Sequence, residues 1–223
     1  KGTLEGDVNY DVSGSYGSNE IEYAINGTIN PSLGPDTPRS FKPGRYIQTE
    51  ASLNVDVNKT FDVGLDEPLF LAGGVEYRYE SFEAIAGDPK SYEVGPLASQ
   101  GFGIGSNGFP GLAARFQGEN SRNSVALFLD SEIYLSDDLM VGAAIRFEDF
   151  TDFGNTTKGK LSARYQMTDT MAIRGAIATG FKAPTIGQSN VRNVTTAFSP
   201  AGLVDRATLP PSDPIAIQKG SDK

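Results

Sequence analysis

Apolar residues in this chain alternate with polar ones over long stretches, which is the periodicity of β-strands with two unlike faces. In residues 123–135 the odd positions are mostly aliphatic, whereas the even positions include Asp130 and Glu132. The alternation resumes in residues 139–147, after the turn-favouring residues 136–138. The two segments therefore predict a β-hairpin with a short connection.

The same alternation recurs along the chain, and no convincing helix lies between the alternating stretches. Eight segments show it: 7–16, 20–30, 46–57, 69–85, 122–135, 139–152, 158–168 and 170–181. Residues Gly17, Ser18 and Asn19 are predicted to form the turn between the first two strands. Strands that follow one another without helices indicate an all-β, antiparallel fold rather than βαβ units.

The two predicted faces differ in charge. The apolar face carries one charged residue, Asp149, at a strand end. The opposite face carries twelve: Asp11, Glu22, Glu50, Asp56, Glu76, Arg78, Asp130, Glu132, Arg146, Glu148, Arg164 and Arg174. A water-soluble antiparallel sheet also alternates in this way, so both a transmembrane β-barrel and a soluble β-sandwich fit the pattern.

The lengths of the predicted connections favour the barrel. The long ones are about 31–45, 86–121 and 182 onward, whereas those at 17–19, 136–138 and 168–169 are short. Short turns thus fall mostly at one end of the sheet, with residues 154–155 as the exception. Outer-membrane barrels have this asymmetry, and the strands reach the roughly 9–11 residues that a tilted membrane strand needs.

Aromatic residues cluster near the predicted strand ends. They are Tyr16, Tyr77, Tyr79, Tyr134, Phe147, Phe150 and Phe153. An aromatic girdle at the lipid headgroups would place them there. The same residues could instead fill the core of a β-sandwich.

Composition excludes several kinds of chemistry. The chain has no His and no Cys, so neither a Ser-His-Asp triad nor a Cys/His zinc site can form within it. A net charge of −9 argues against binding to the phosphates of nucleic acid. Histidine- or cysteine-based catalysis and nucleic-acid binding are therefore not expected.

Several strings are more specific than the alternation. They are GVEYRYE at 74–80, AGDPKSY at 86–92, RFEDFTDFG at 146–154, RGA at 174–176, TGFKAPT at 179–185 and NVTT at 193–196. Taken in order, they resemble the barrel of TonB-dependent outer-membrane receptors. The TGFKAPT string is similar to the family's strand end before an extracellular loop. The resemblance extends from about residue 7 to residue 215.

The resemblance implies a transporter of the Gram-negative outer membrane rather than an enzyme. We therefore predict no catalytic residue, no cofactor and no protein metal site, and expect any metal to arrive inside the ligand. Such receptors have a barrel of about 22 strands with an N-terminal plug domain inside it, and they take up a scarce ligand, often a ferric siderophore, when TonB acts on the plug. The implied partners are TonB, the plug, outer-membrane lipid and a small ligand, but no nucleic acid. Iron chelates, cobalamin and oligosaccharides are all ligands that the resemblance allows.

About eight predicted strands are fewer than the resemblance implies. We therefore expect residues 1–223 to be a partial barrel domain, with the plug domain, the N-terminal signal and the closing C-terminal strands outside it. Three alternatives stay open: a complete small eight-strand barrel, a passive porin-like channel, and a soluble secreted β-sandwich that acts as a binding module.

The long connection 86–121 is the predicted ligand-contact segment. It combines many glycines with bulky side chains, as loops that wrap a small ligand at a barrel mouth do. The candidate residues are Tyr92, Phe102, Phe109, Arg115 and Phe116. The alternative is a loop that packs on its neighbours or closes the mouth.

A second candidate group consists of charged residues predicted to face the lumen. It comprises Glu76, Arg78, Glu80, Arg146, Glu148 and Arg174. Such residues could line a water-filled lumen or brace a plug through ion pairs. Alternatively, they form a structural ladder between neighbouring strands.

Overall fold

A computed structural model describes residues 1–200 and 202–221 of the chain. Eight strands form one sheet in which each strand pairs with its neighbours in sequence, which confirms the all-β prediction. They are β1 (Gly2–Leu4), β2 (Val8–Asn26), β3 (Ser40–Phe61), β4 (Leu69–Ala86), β5 (Gly118–Ser136), β6 (Leu139–Phe150), β7 (Gly154–Thr168) and β8 (Met171–Ala178).

The residues after β8 contain further regular structure that the sequence did not predict. A separate antiparallel hairpin consists of β9 (Asn193–Ser199) and β10 (Gly202–Thr208). Two short helices flank it, α1 (Ile186–Asn190) and α2 (Pro214–Gln218). Over the described ranges, no helix combines the length and the hydrophobicity needed to cross a membrane.

The predicted turn at Gly17, Ser18 and Asn19 is wrong, because β2 runs through it without a break. Hydroxyl groups tie this part of β2 to β3: Ser15 Oγ lies 2.8 Å from Ser52 Oγ, and Ser18 Oγ lies 3.5 Å from Thr49 Oγ1. The small polar residues that suggested a turn therefore make cross-strand hydrogen bonds instead.

The true first turn lies earlier in the chain and joins β2 to β1, a three-residue strand that the sequence did not predict. The register pairs Leu4 with Val8, so residues 5–7 form a tight connection. Gly6 and Asp7 have φ of 80° and 59°, a left-handed conformation that Gly and Asp tolerate best. The two predicted strands 7–16 and 20–30 thus form the single strand β2, and β1 is an additional strand. The strands still alternate in direction as predicted.

The hairpins of β5 to β8 follow the sequence closely. Residues 137–138 and 169–170 form the predicted tight turns. On the apolar face, Leu129 stands opposite Ile145, and Leu161 stands opposite Ile177. These cross-strand pairs continue one apolar stripe from strand to strand.

The apolar face of the sheet is exposed. Its large exposed side chains are Val12, Leu53, Val57, Val75, Tyr77, Leu127, Leu129, Ile145, Leu161, Tyr165, Ile173 and Ile177. A soluble β-sandwich would bury such residues in its core. A continuous exposed apolar surface is instead typical of a lipid-facing wall.

Connection lengths alternate from one end of the sheet to the other. The links 5–7, 62–68, 137–138 and 169–170 join successive strand pairs at one end, and the long links 27–39 and 87–117 lie at the other. The link 151–153 is the short exception at the long-loop end. The predicted asymmetry is therefore present, with shifted boundaries.

Packing divides the chain into two compact units. The sheet unit comprises residues 1–17, 50–80 and 122–183, and the loop unit comprises residues 18–49, 81–121 and 184–223. Strands β2 to β5 contribute residues to both units. The exposed apolar stripe belongs to the sheet unit, whereas the links 27–39 and 87–117 belong to the loop unit.

Candidate functional site

The two ends of the loop 87–117 are fastened to β3. The Leu112 N–H donates to Pro43 O at 2.7 Å, and the Gly87 N–H donates to Leu112 O at 3.0 Å. The Asp88 N–H donates to Lys42 O at 2.9 Å, and the Asp88 carboxylate accepts the Lys42 N–H at 2.8 Å. These bonds extend the hydrogen bonding of the sheet into the base of the loop.

The interior of the loop is organised around Ser91, which is fully buried. Its carbonyl accepts from Ser106 N at 2.9 Å and from Gly111 N at 2.8 Å. Gly111 lies so close to the Ser91 side chain that a β-carbon would not fit. The loop is therefore compact and held together by its own backbone hydrogen bonds.

Four aromatic rings form a cluster in the loop unit, which we call the aromatic cluster: Tyr23, Tyr46, Phe82 and Phe109. Ring centroids are separated by 4.9 Å for Tyr23 and Phe109, 5.3 Å for Tyr46 and Phe82, and 5.9 Å for Tyr23 and Tyr46. The Tyr46 phenol adds an O–H group that can donate a hydrogen bond.

Three cavities lie side by side in the loop unit and share Phe116 as a wall. Their volumes are about 230, 430 and 200 Å³. Two cationic side chains line them: Arg115, whose guanidinium carbon lies 4.7 Å from the centre of the Phe116 ring, and Arg192. We call these cavities together the Phe116 pockets.

Arg192 is held in place by a carboxylate. Its guanidinium pairs with Asp213, which is buried and caps α2 by accepting the Ile215 N–H at 2.9 Å. Arg115 is exposed, and it belongs to a short 3-10 helix, Ala114–Phe116. The pockets therefore combine aromatic walls with one anchored and one accessible cation, and the carboxylates of Glu93 and Glu119 also line them.

The structure gathers four of the five predicted ligand-contact residues around these cavities. Tyr92, Phe109, Arg115 and Phe116 line them. Phe102 is exposed and stands apart from the lining of these three. That these residues contact a ligand stays a prediction.

Sequence reasoning missed Tyr46, Phe82 and Arg192 as wall residues. They come from β3, β4 and the segment after α1, outside the loop 87–117. The one usable signal was that Tyr46 and Phe82 lie near the long-loop ends of predicted strands.

Exposed ion pairs join β2 to β3 in the same unit. Lys42 Nζ lies 2.9 Å from Glu22, and Arg45 lies 2.9 Å from Glu20. Both pairs are exposed, and exposed ion pairs contribute little to stability. Within the described part of the chain, no group of three or more side chains could hold a metal ion.

On the charged face of the sheet unit, four of the six residues predicted to face the lumen form one network. The Glu76 carboxylate accepts from Arg146 at 3.0 Å and also from Arg78. Arg146 donates to Glu148 at 3.4 Å. The network links β4 to β6, and its side chains are largely shielded from solvent.

The other two residues lie outside this network. Arg174 is exposed and stands opposite Arg164 in the register of β7 and β8. Glu80 lies 3.9 Å from Arg122, a residue that sequence reasoning did not single out.

Arg122 is the centre of a buried cluster on β5 and retains only 2% of its exposed area. Its Nε donates to both carboxylate oxygens of Asp152, at 2.8 and 2.9 Å, and a second nitrogen donates at 2.6 Å. The guanidinium carbon lies 5.0 Å from the ring centre of Phe153 and 5.7 Å from that of Phe150. Arg122 thus fixes the link 151–153 through a forked ion pair and two ring faces.

Glu76→Gln tests the charged network. The substitution removes the carboxylate that two guanidinium groups share, and we expect it to lower the free energy of unfolding by about 1–2 kcal/mol. Thermal unfolding of the detergent-solubilised protein would measure the change. Glu132→Gln, at an exposed position on the same face, is the control, and an equal effect of both variants would contradict the proposed role of Glu76.

The exposed apolar stripe, the charged opposite face and the long loops at one end define the wall of an outer-membrane β-barrel. The sequence profile described as "TonB dependent receptor-like, beta-barrel" matches residues 2–212. The chain belongs to this family, and it is therefore part of a barrel of the Gram-negative outer membrane.

Two relatives come from Pseudomonas aeruginosa. The chain is 27% identical over 175 residues to the ferric enterobactin receptor PirA, covering 78% of this chain and 21% of that protein. It is 24% identical over 187 residues to a second protein described as a ferric enterobactin receptor, covering 81% and 23%. The chain thus spans less than a quarter of the length of either relative.

Two solved structures share the fold. The siderophore receptor PirA from Acinetobacter baumannii superposes with a TM-score of 0.56 at 16% identity, over 83% of this chain and 25% of that one. A variant of the ferric enterobactin receptor PfeA from P. aeruginosa gives 0.54 at 18% identity, over 82% and 25%.

Proposed function

We propose that this chain supplies barrel wall and extracellular loops to a TonB-dependent receptor that imports a ferric siderophore. The observation that carries the proposal is the set of Phe116 pockets, which lie among the long loops of a family member. The two Pseudomonas relatives bear the name of ferric enterobactin receptors, which makes ferric enterobactin the first ligand to test.

The chemistry of the pockets fits such a ligand. A ferric catecholate is anionic and carries aromatic rings, and the pockets offer guanidinium groups beside aromatic walls. Rings can stack on Phe116, while Arg115 attracts negative charge from solvent. The phenol of Tyr46 supplies a hydrogen-bond donor.

The proposed receptor carries its plug and its TonB contact outside this chain. The charged face with Glu76, Arg78, Arg146 and Glu148 would face the lumen, where paired charges keep a polar surface next to water or the plug. The apolar stripe would face lipid, and the strand pairing satisfies the backbone polar groups there. The activity is transport, with no chemical conversion by this chain.

Arg115→Ala is expected to weaken the binding of ferric enterobactin to the full-length receptor by about ten- to a hundredfold, because a charge-assisted contact is lost. Fluorescence quenching or calorimetry on the detergent-solubilised receptor would measure the dissociation constant. Arg39→Ala, which removes an exposed arginine from the neighbouring link 27–39, should leave it unchanged. Equal affinities for Arg115→Ala and the unaltered receptor would remove Arg115 from the site.

Uptake separates this proposal from a passive channel. Cells that carry the receptor should accumulate iron from ferric enterobactin only when TonB is present and the membrane is energised. Accumulation that continues in a strain without TonB would favour a porin-like channel instead.

A further inference from the structure

Asn30 is a fully buried polar residue on the link 27–39. In sequence it is far from the residues of the loop 87–117 that line the Phe116 pockets. It precedes the 3-10 helix Pro31–Asp36 and is the N-cap of that helix. A buried side-chain amide is costly unless its donors and acceptor are bonded. The hydrogen-bond partners of the Asn30 side chain therefore show which segments it holds together.

Most of the bonds of the Asn30 side chain reach the loop 87–117. The side-chain N–H₂ donates to Lys90 O and to Glu93 O, both at 3.0 Å. The side-chain oxygen accepts from Gly105 N at 3.1 Å and from Ser32 Oγ at 2.7 Å. One amide thus joins two stretches of the loop that are more than ten residues apart.

Ser32, which is also fully buried, extends the same attachment. Its Oγ accepts from Gly95 N at 2.9 Å, its carbonyl accepts from Leu97 N at 2.9 Å, and its N–H donates to Gly103 O at 3.0 Å. The Gly95 backbone lies against the Ser32 carbonyl so closely that a β-carbon would not fit. Opening the loop would break all of these hydrogen bonds at once.

The attachment bears directly on the pocket residues. The two carbonyls that Asn30 holds, those of residues 90 and 93, flank Tyr92, and Gly105 leads to Phe109 within the same loop. The loop then continues to Arg115 and Phe116. A bond from a separate link therefore sets the position of the segment that lines the cavities.

We propose that Asn30 is a positioning residue that keeps the loop 87–117 assembled before any ligand arrives. The loop is then a preformed platform, so ligand binding does not incur the entropic cost of ordering it. The effect on ligand affinity rests on the proposed siderophore function, whereas the assembly of the empty loop does not.

Hydrogen exchange of the full-length receptor in detergent, without ligand, tests the platform. The amides of Gly95, Leu97 and Gly105 should be protected in the unaltered receptor. Asn30→Ala should raise their exchange rates by about tenfold or more, since buried groups lose their partners. Asn26→Ala, at an exposed asparagine on the same strand-to-loop junction, should leave them unchanged.

A milder variant guards against a general folding defect. Ser32→Ala removes the acceptor for the Gly95 N–H and one donor to the Asn30 side-chain oxygen, but it leaves the bond from the Gly105 N–H to Asn30 in place. Exchange should therefore quicken at Gly95 while Gly105 stays protected. Unprotected amides in the unaltered receptor, or full protection in Asn30→Ala, would overturn the proposal.

Ferric enterobactin binding provides the second readout. In Asn30→Ala, saturating ligand should restore the protection of the loop, and the dissociation constant should rise by about tenfold or more because binding now has to order the loop. A variant that binds as tightly as the unaltered receptor would overturn the positioning role. If the unaltered receptor does not bind ferric enterobactin yet shows the protected loop, the siderophore assignment fails and the platform stands.

Discussion

Arg122→Ala is expected to lower the free energy of unfolding of the receptor by about 2–4 kcal/mol. Removing one partner of a buried ion pair typically costs about 3–5 kcal/mol. The lower range applies here because the Asp152 side chain retains 34% of its exposure and can be partly rehydrated. The loss should begin at the link 151–153, whose Phe153 ring and Asp152 carboxylate both depend on the guanidinium.

Chemical or thermal unfolding of the detergent-solubilised receptor would measure this change. Arg174→Ala is the matched control, because Arg174 is an exposed arginine of the same sheet and should shift stability by less than about 0.5 kcal/mol. A double-mutant cycle with Asp152→Asn would isolate the pair. If Arg122→Ala and Arg174→Ala proved equally mild, the cluster around Arg122 would be incidental to stability.

The strands were the predictable part of this fold. Side-chain alternation is a local property of the chain, and the boundaries of β4, β6 and β8 agree with the sequence to within a few residues. The turn predicted at Gly17, Ser18 and Asn19 was wrong because the structure there depends on distant residues rather than on the local sequence. Those residues are Thr49 and Ser52, which lie on β3 after the chain has turned back.

The composition of the loop predicted the candidate ligand-contact residues, but it did not predict the residues that hold the loop in place. Aromatic and arginine residues on a Gly-rich loop pointed to Phe109, Arg115 and Phe116. Asn30 carries no such signal, since its partners on the loop 87–117 lie 60 to 75 residues away in sequence. A single asparagine in a polar link looks like any other until the fold buries it.

The cluster around Arg122 was predictable only in part. The string RFEDFTDFG contains Phe150, Asp152 and Phe153, and its rings were interpreted as part of a headgroup girdle. Phe150 is instead buried and stacks on Phe153 at 4.3 Å. The string alone does not distinguish an arginine site from a girdle, and the position of Arg122 on the neighbouring strand decides between them.

Leu129→Arg is the second substitution with a large expected effect, because it places a charge on the apolar stripe. Leu129 is exposed there and faces Ile145 across the pair of β5 and β6. An arginine near the midplane of a membrane barrel costs about 2–4 kcal/mol, and the cost falls toward the interfaces. Leu129 lies in the middle of the stripe, so we expect a value in that range and a lower yield of assembled receptor in the outer membrane.

Glu132→Arg provides the matched control, since it introduces the same side chain on the same strand at an exposed position of the charged face. Water on that face can solvate the guanidinium, so the control should retain nearly full stability and yield. Denaturant unfolding of both variants in lipid vesicles gives the two free energies, and quantification of folded receptor in outer-membrane fractions gives the yields. Comparing the losses of stability in the two variants decides which face of the wall meets lipid. If Leu129→Arg lost less stability than Glu132→Arg, the apolar stripe would not face lipid, and the assignment of the two faces would have to be reversed.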